Sequence, residues 1–336
     1  LRQKFNTLWS QASFNNDVGV PLTLLQLEAS HQTAVLEAGT NHPGELAPLV
    51  RMIQPRFGVI TSIGREHLEF FGDLWGVAQE EGTLAELLPR TGKLLIHSDS
   101  PEAESIIKRS AAPAIRIGLA RQNSWRASNL RMTDAGVAFR VSAPASDFNG
   151  EYQLPLLGKH QVVNALFAIA LGADLGLTKA EVQRGLANCE TPKMRLQLSA
   201  VGNIHLLDDA YNANADSMRA ALETLRDFPC RGRRLAVLGD MAELGPHGEA
   251  AHAEVGRRAA ELGVEQLFAV GKMAAVMGGA ARAAGLRGVQ EFADVLAAAE
   301  AIRQFVDAGD VVLLKASRAT KLERIGDLLR NKGEEG

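Results

Sequence analysis

The stretch FGVITSIGREHLEFFGDLWGVAQEEGTLAELLPRTGKLLIHSD, residues 57–99, contains two short apolar runs separated by a segment with helical spacing. The runs FGVITSIG (57–64) and KLLIHSD (93–99) are typical of buried strands, and each ends in small or polar residues. The residues between them, at 74–88, have the length and spacing of a helix. This succession of strand, helix and strand predicts parallel strands that are covered by helices.

Segments on either side extend this pattern. TAVLEAG (33–39) is predicted to form another buried strand, and a helix is predicted over 44–53. Residues 125–154 differ, because side-chain character alternates on both sides of a turn at 134–136, as in an antiparallel hairpin. A long helix is then predicted in KHQVVNALFAIALGADLG (159–176).

A second series of strands and helices follows the loop NCETPKM (188–194). Its strands are predicted in IHLLDDAY (204–211), RLAVLGDM (234–241), QLFAVG (266–271) and VVLLKAS (311–317). Its helices are predicted near 216–227, 247–262, 293–306 and 318–330. We therefore predict an α/β protein of two domains, 1–191 and 192–336, in which mainly parallel sheets are covered by helices.

The composition limits the functional classes. Of the 336 residues, 46% are hydrophobic and 22% are charged, and the net charge of −3 provides no field that would attract nucleic acid or anionic lipid. Cys189 and Cys230 lie outside any metal-binding spacing and fit a reducing compartment. No apolar run approaches the roughly 20 residues of a membrane span. We expect a cytoplasmic protein that has no nucleic-acid partner and no membrane span.

Polar side chains follow several predicted strands, and ligands gather at the carboxyl ends of strands in open α/β sheets. Glu37 ends a predicted buried strand, where a carboxylate needs a cation or several donors, so a metal ligand and a loop-bracing residue are equally supported. His67 alone is more often structural, and Glu81 alone is more often solvated. Together these three side chains suit a Mg²⁺ site.

Two polar loops contain further candidate residues. SFNNDVGVPLTLL (13–25) either forms an Asx turn into a helix or presents Asn15 and Asn16 to a polar substrate. DDAYNANADSM (208–218) is either a capped loop or a contact for a nucleotide or phosphate. Spacing alone does not choose between these alternatives.

Seven segments, taken in order, resemble the Mur ligase superfamily. They are NNDVGVPLTLL, VLEAGTNHPGEL, VITSIGREHLEFFG, GKHQVVNALFAIA, DDAYNANADSM, VLGDMAELG and LLKASR. The ordered set is specific and covers nearly the whole chain. The resemblance implies a central ATPase-type domain over 1–191 and a Rossmann-like C-terminal α/β domain over 192–336.

Members of this family join a carboxylate to an amine with ATP, through an acyl phosphate, and cations offset the charge on the transferring phosphoryl group. The NAN loop and LGDMAELG resemble the ligases that add D-alanyl-D-alanine to UDP-N-acetylmuramoyl-tripeptide in peptidoglycan synthesis. ATP and Mg²⁺ are the implied cofactors, and a monomer is expected. Two alternatives stay open, namely another Mur or folylpolyglutamate-type ligase and a non-catalytic nucleotide-binding relative.

The resemblance also implies roles for individual residues. The ligands of Mg²⁺ at the γ-phosphate would be Glu37, His67 and Glu81. The nucleotide and its transferring phosphate would contact His160, Asn164, Arg195, Asp209, Tyr211, Asn212 and Asn214. The muramoyl peptide would contact Asn15 and Asn16, and D-alanyl-D-alanine would contact Lys315, Ser317 and Arg318.

The printed sequence lacks the family's glycine-rich phosphate loop that ends in Gly-Lys-Thr. The Gly-Lys pairs at 92–93, 158–159 and 271–272 are not followed by a hydroxyl residue. LRQKFNTL (1–8) is typical of the end of the helix that follows this loop. We expect the phosphate loop and an N-terminal domain to precede Leu1, and this chain alone to bind ATP poorly and to be inactive.

A second departure concerns Glu81. Most relatives have a carbamylated lysine at this position, and its added carboxylate bridges to the metal. We expect Glu81 to supply that carboxylate directly, with the neighbouring Glu80 facing solvent.

Overall fold

The computed structural model describes residues 1–334 and divides into two compact units. The first unit contains residues 1–131, 138–154 and 161–189, and the second contains 132–137, 155–160 and the chain from Glu190 onward. Each unit has a mostly parallel sheet with helices packed on it, so the predicted α/β class is confirmed.

The chain up to residue 189 has eight strands and seven α-helices within the described residues. The strands are β1 (Thr7–Trp9), β2 (Thr33–Val35), β3 (Phe57–Ile60), β4 (Lys93–His97), β5 (Ala114–Gly118), β6 (Trp125–Thr133), β7 (Gly136–Ser142) and β8 (Gly150–Leu154). The helices are α1 (Gly19–Leu24), α2 (Leu46–Ile53), α3 (Leu68–Phe71), α4 (Leu74–Leu87), α5 (Ala103–Arg109), α6 (Lys159–Asp174) and α7 (Lys179–Ala187).

Six of these strands form one sheet in the order β3-β4-β5-β6-β7-β8. Strands β3 to β6 are parallel, with Phe57 opposite Lys93. The two-residue connection between β6 and β7 makes that pair an antiparallel hairpin, as the sequence predicts. Helices α4 and α5 pack on the sheet through a core that includes Val77, Leu94 and Ile106.

Strands β1 and β2 form a separate parallel pair outside that sheet. The prediction of a buried strand over 33–39 was therefore wrong, since β2 has only three residues and Val35 is 47% exposed. The apolar run in TAVLEAG belongs to a small surface sheet, where the consecutive residues Ala34 and Val35 are both exposed. At the start of the chain, the amide of Phe5 donates to the carbonyl of Leu1 in a single helical turn.

The second unit continues with six strands and five α-helices among the described residues. The strands are β9 (Gln197–Val201), β10 (Ile204–Asp209), β11 (Arg234–Gly239), β12 (Gln266–Val270), β13 (Gly288–Phe292) and β14 (Val311–Lys315). The helices are α8 (Ala215–Asp227), α9 (Gly248–Glu261), α10 (Ala274–Ala283), α11 (Val295–Phe305) and α12 (Glu323–Glu334).

The sheet of the second unit has the order β13-β12-β11-β14-β10-β9, and only β9 is antiparallel to its neighbour. One face packs against α8, α9 and α10, in a core that includes Leu222 and Val255. The other face packs against α11 and α12, through Ile302 and Ile325. Strands buried on both faces explain the continuous apolar runs in this part of the sequence.

Across residues 1–334, the longest apolar helices fall short of what a bilayer crossing requires.

Candidate functional site

The carboxyl ends of β10 and β14 bring two predicted site residues into direct contact. Because these strands are parallel and Asp209 lies opposite Lys315, the Lys315 Nζ donates to Asp209 Oδ2 at 2.6 Å and to the Asn212 carbonyl at 3.0 Å. Burial raises the pKa of Asp209, against the opposing effect of the Lys315 charge. The amide of Leu196 donates to the other Asp209 oxygen at 3.1 Å. This buried pair fixes the start of the loop that follows β10.

That loop contains three more predicted residues. Asn214 is the N-cap of α8 and accepts from the Ser217 amide at 2.8 Å, and Asn212 Oδ1 accepts from the amide of Ala213 at 2.8 Å. The Arg195 guanidinium lies over the Tyr211 ring at 4.7 Å from its centroid, and Arg195 is exposed. The two asparagine side chains therefore brace the loop, and the guanidinium stays at the surface.

His160 is a predicted nucleotide contact near the start of α6. Burial, with a smaller effect of the Lys315 charge, lowers the pKa of His160 to about 4, so the imidazole is neutral at neutral pH. Its Nδ1 atom is buried and has no hydrogen-bond partner among the described residues. Asn164 is exposed, and its amide donates to Gln161 Oε1 at 3.2 Å.

The predicted wall for D-alanyl-D-alanine is mostly occupied by internal contacts. Lys315 is 2% exposed, and its amine is held by the contacts described above. Ser317 is 4% exposed, and its hydroxyl accepts from the Ala242 amide at 2.9 Å. Arg318 is exposed and pairs with Glu323 at 3.0 Å. The Lys315 amine is thus buried against a carboxylate, and the contact of these three residues with D-alanyl-D-alanine stays a prediction.

In the first unit, the loop of Asn15 and Asn16 forms the Asx turn that was one of its two predicted roles, whereas its contact with a substrate stays a prediction. Asn16 Oδ1 accepts from the Gly19 amide at 2.8 Å, so the Asx turn into α1 is present. Asn15 Nδ2 donates to Glu37 Oε1 at 2.9 Å. Glu37 itself is exposed, which corrects the expectation of a desolvated carboxylate. This pair leaves the remaining oxygen of Glu37 open to water.

Glu80 is held by hydrogen bonds to the segment that leads into α2. Glu80 is 8% exposed and accepts from the amides of Gly44 and Leu46, both at 2.8 Å. The Thr40 hydroxyl lies 3.5 Å from the same carboxylate. The expectation that Glu80 faces solvent was therefore wrong, since it binds the first turn of α2 to α4.

Glu81 is partly buried on the same helix. Desolvation raises the pKa of Glu81 to about 8, and the nearby carboxylates of Glu66 and Glu80 add to the effect. A carboxyl group held among other carboxylates is a place where a cation would be strongly favoured.

The three predicted metal ligands do not converge. Within residues 1–334, no group of three or more His, Cys, Asp or Glu side chains could hold a metal ion. His67 is the N-cap of α3 in the left-handed region, and its ring meets Phe71 edge-on at 6.5 Å. The expected three-ligand site with Glu37 and Glu81 was thus wrong. The Glu81 carboxyl still fits an Mg²⁺ ion that arrives with nucleotide phosphates, because such ions need only one or two protein carboxylates.

The second unit also contains a cavity of about 420 Å³ that the sequence analysis did not predict. It lies where β11, β12, β13 and β14 end, and its polar lining includes Asp240, Lys272 and Thr320. Asp240 directly follows β11 in LGDMAELG, so its position after a strand was the available signal. Its carboxylate accepts from the amides of Lys272 and Met273 at 2.9 and 3.0 Å.

Comparisons with known proteins match both units. Residues 1–172 match the Mur ligase middle domain, and residues 194–318 match the family described as Mur ligase, glutamate ligase domain. The UDP-N-acetylmuramoyl-tripeptide–D-alanyl-D-alanine ligase of Escherichia coli K12 is 36% identical over 341 residues, which cover 99% of this chain and 73% of that protein. The ligase of the same name from Bacillus subtilis 168 is 31% identical, with coverage of 93% and 67%.

A solved structure is similar over the same extent. The crystal structure of MurF from Acinetobacter baumannii superposes with a TM-score of 0.89 and is 28% identical. The match covers 98% of this chain and 72% of that chain. The similarity therefore extends through both units.

Proposed function

The chain belongs to the Mur ligase family, and we propose that it acts as the ATP-dependent ligase that joins D-alanyl-D-alanine to UDP-N-acetylmuramoyl-tripeptide. The observation that carries this proposal is the 36% identity to the Escherichia coli ligase over 99% of the chain. Ligases with the same name in other bacteria match at 31% identity or more over most of the chain, which favours this reaction over those of other family members. Because ATP is the proposed substrate, we propose that the reaction takes place in the cytoplasm.

The proposed reaction forms one amide bond at the cost of one phosphoanhydride bond. A terminal carboxylate oxygen of the tripeptide attacks the γ-phosphorus of ATP and releases ADP, which leaves an acyl phosphate. The dipeptide amine then attacks the acyl carbon, loses a proton and expels inorganic phosphate. Both steps bring anions together, so catalysis depends on cations placed where charge develops.

Arg195 is the residue best suited to that task among the predicted nucleotide contacts. Its guanidinium is exposed and stacks on Tyr211, which orders a long side chain without neutralising its charge. Asp209 is already bound by Lys315 and Leu196, so we assign it to holding the loop of Tyr211 and Asn212 instead of to binding ribose directly.

His160 and Asn164 suit uncharged contacts to the nucleotide. The low pKa of His160 keeps its imidazole neutral, and its buried Nδ1 lacks a partner among the described residues. Asn164 offers an exposed amide. In the first unit, Asn15 and Asn16 remain our assignment for the muramoyl-peptide contact, with Asn15 also bound to Glu37 and Asn16 also fixing α1.

Mg²⁺ enters this proposal as an ion that binds together with ATP, with Glu81 as its protein carboxylate. When bound, the ion would offset charge on the nucleotide phosphates. His67 stays a candidate ligand of this ion, and the support for it is its position in the chain after β3.

The reaction can be tested with the protein produced from the complete reading frame that contains this chain. ATP, UDP-N-acetylmuramoyl-tripeptide and D-alanyl-D-alanine should give the corresponding pentapeptide product, detected by mass, and one phosphate per product. Arg195→Gln should lower kcat about 100-fold, because one donor to a developing charge is lost. Circular dichroism should show an unchanged fold.

Arg219→Gln is the matched control. Arg219 lies on the nearby α8 and pairs with Asp216 at 3.4 Å, so its loss should leave kcat unchanged. Formation of a product with a different amine acceptor, and none with D-alanyl-D-alanine, would reject the proposal in favour of another ligase of the family. ATP binding with no ligation of any acceptor would point to the non-catalytic alternative.

A further inference from the structure

Arg109, the last residue of α5, reaches across to the middle of α4. Its guanidinium donates from Nη1 to the carbonyl of Ala78 at 3.1 Å and from Nη2 to the carbonyl of Gln79 at 2.8 Å. Its Nε donates to Glu86 Oε1 at 2.7 Å. One rigid, planar cation thus binds both the backbone and a side chain of the same helix. These hydrogen bonds fix the position of α4 along its own axis, which apolar packing alone does not.

Gly82 makes this close approach possible. It is buried in the interior of α4, where glycine is among the least favourable residues. A Cβ at this position would lie 2.6 Å from Arg109 Cζ and closer still to Nη1, so any other residue would displace the guanidinium. The missing side chain of Gly82 is therefore what allows Arg109 to reach the backbone of the helix.

Glu81 lies between two residues that are each held in place. On its N-terminal side, Glu80 accepts hydrogen bonds from two backbone amides of the segment that leads into α2. On its C-terminal side, Gly82 lies against the guanidinium of Arg109. Helix α4 is therefore fastened to the start of α2 and to α5, and the backbone of Glu81 cannot shift without breaking one of these contacts.

The surroundings of Glu81 make such support necessary. Burial raises the pKa of Glu81 to about 8, and the nearby carboxylates of Glu66 and Glu80 add to the effect. A helix that was free to move would relieve this repulsion by a small rotation or shift. A helix that is held on both sides keeps the Glu81 carboxyl group beside the other two, where a cation is most strongly favoured.

We propose that Arg109 is a positioning residue for Glu81, and that it acts through α4 on the cation that accompanies the nucleotide phosphates. The inference rests on the proposed function, because that function assigns Glu81 to the Mg²⁺ ion that binds together with ATP. The hydrogen bonds of Arg109 described above all go to α4, so its effect on the ion is exerted through this helix. Residues that support a metal ligand in this way strengthen binding because the ligand is already in place.

A double-mutant cycle tests this coupling in the protein produced from the complete reading frame. Calorimetry measures Mg²⁺ binding in the presence of a non-hydrolysable ATP analogue, for Arg109→Gln, Glu81→Gln and the double variant. We expect each single change to weaken Mg²⁺ binding about tenfold. The double variant should bind Mg²⁺ no more weakly than Glu81→Gln alone, because Arg109 then has no carboxylate to position. A loss of about 100-fold in the double variant would show independent effects and overturn the inference.

Gly82→Ala is a second test, and it leaves Arg109 in the protein. Alanine is the better helix former, so helix propensity alone predicts no loss. Its Cβ would displace the guanidinium, and we therefore expect Mg²⁺ binding to weaken about tenfold, as in Arg109→Gln. Added to Arg109→Gln, the same change should have no further effect. Undiminished Mg²⁺ affinity in Gly82→Ala would contradict the inference.

Two matched controls separate position from charge and from a general loosening of α5. Lys108→Gln removes the exposed positive charge next to Arg109 in the chain. Arg116→Gln removes a guanidinium of β5 that binds Glu104 of α5 at 3.0 Å. Neither change should alter the Mg²⁺ affinity. A loss in either control equal to that in Arg109→Gln would overturn the inference, because charge or support of α5 would then explain the result.

Ligation by the same proteins separates this inference from the proposed function. Arg109→Gln should raise the Mg²⁺ concentration that gives the half-maximal rate, while the KM for D-alanyl-D-alanine stays unchanged. If pentapeptide forms and the Mg²⁺ dependence does not change, the inference fails while the function stands. If no acceptor is ligated but the cycle is non-additive as expected, the function fails while the role of Arg109 remains. If Mg²⁺ does not bind even with the ATP analogue present, the inference is overturned.

Discussion

Glu80 and Glu81 are identical neighbours in the sequence, but the sequence does not show which of the two side chains is buried. Charged residues are rarely buried, so sequence reasoning assigns solvent to whichever of the two has no function. In the structure Glu80 is buried because three donors meet it, namely the amides of Gly44 and Leu46 and the hydroxyl of Thr40. Those donors lie more than 30 residues away in sequence, so the residues around Glu80 do not predict these hydrogen bonds.

The burial of Glu80 leads to a prediction about stability. Glu80→Ala would leave two backbone amides at the start of α2 unpaired, and we expect it to destabilise the first unit by about 2–4 kcal/mol. Glu80→Gln keeps one acceptor and should cost less. Urea unfolding followed by tryptophan fluorescence measures this directly, since Trp9, Trp75 and Trp125 all lie in the first unit.

Glu69→Ala is the control for this measurement, because Glu69 is exposed in the short helix α3. It should leave the unfolding midpoint nearly unchanged. An equal loss in the two alanine variants would show that the contacts of Glu80 contribute nothing specific.

At the scale of elements, apolar runs predicted most strands because those strands are buried on both faces. This holds for β4, β11 and β14, whose interiors are fully covered. The same signal failed for β2, which has an apolar sequence but lies in a two-stranded surface sheet. The sequence records how apolar a strand is, whereas the number of its neighbours depends on distant segments.

Two glycines within helices give a prediction about stability. Replacing each by alanine should change the free energy of unfolding in opposite directions. In α9, a Cβ at Gly256 would lie 2.0 Å from the Met277 carbonyl oxygen of α10, so Gly256→Ala should force the two helices apart. We expect a loss of about 1–3 kcal/mol despite the better helix propensity of alanine. In α10, Gly279 is exposed and has no atom within 4 Å of its Cβ position, so Gly279→Ala should stabilise by up to about 1 kcal/mol.

Both changes lie in the second unit, so they can be compared by hydrogen exchange of α9 and α10 in denaturant. If Gly256→Ala is stabilising, the prediction is wrong, and α9 and α10 can move apart without a loss of stability. The comparison needs no assumption about the first unit, because each variant is measured on the same pair of helices.

At the scale of the whole molecule, the order of motifs predicted the family and the α/β class, whereas the geometry of individual sites was only partly predicted. Asp209 and Lys315 are each the last residue of a strand, and their contact arises because β10 and β14 are parallel neighbours. The burial of Lys315 could not be predicted, since it depends on α8 and α12 covering opposite faces of the sheet. The metal site failed for the same reason: residues after different strands converge only if their loops turn toward each other.

The absence of a three-ligand cluster within residues 1–334 gives the last prediction, which concerns Mg²⁺. Mg²⁺ retains water and binds through one or two carboxylates together with substrate phosphates. The complete protein should therefore show no heat of Mg²⁺ binding in calorimetry without nucleotide, and binding should appear once a non-hydrolysable ATP analogue is present. Glu81→Gln should weaken that second step about tenfold, and Glu69→Gln should not. Tight Mg²⁺ binding without nucleotide would require a preformed site, which the described side chains do not form.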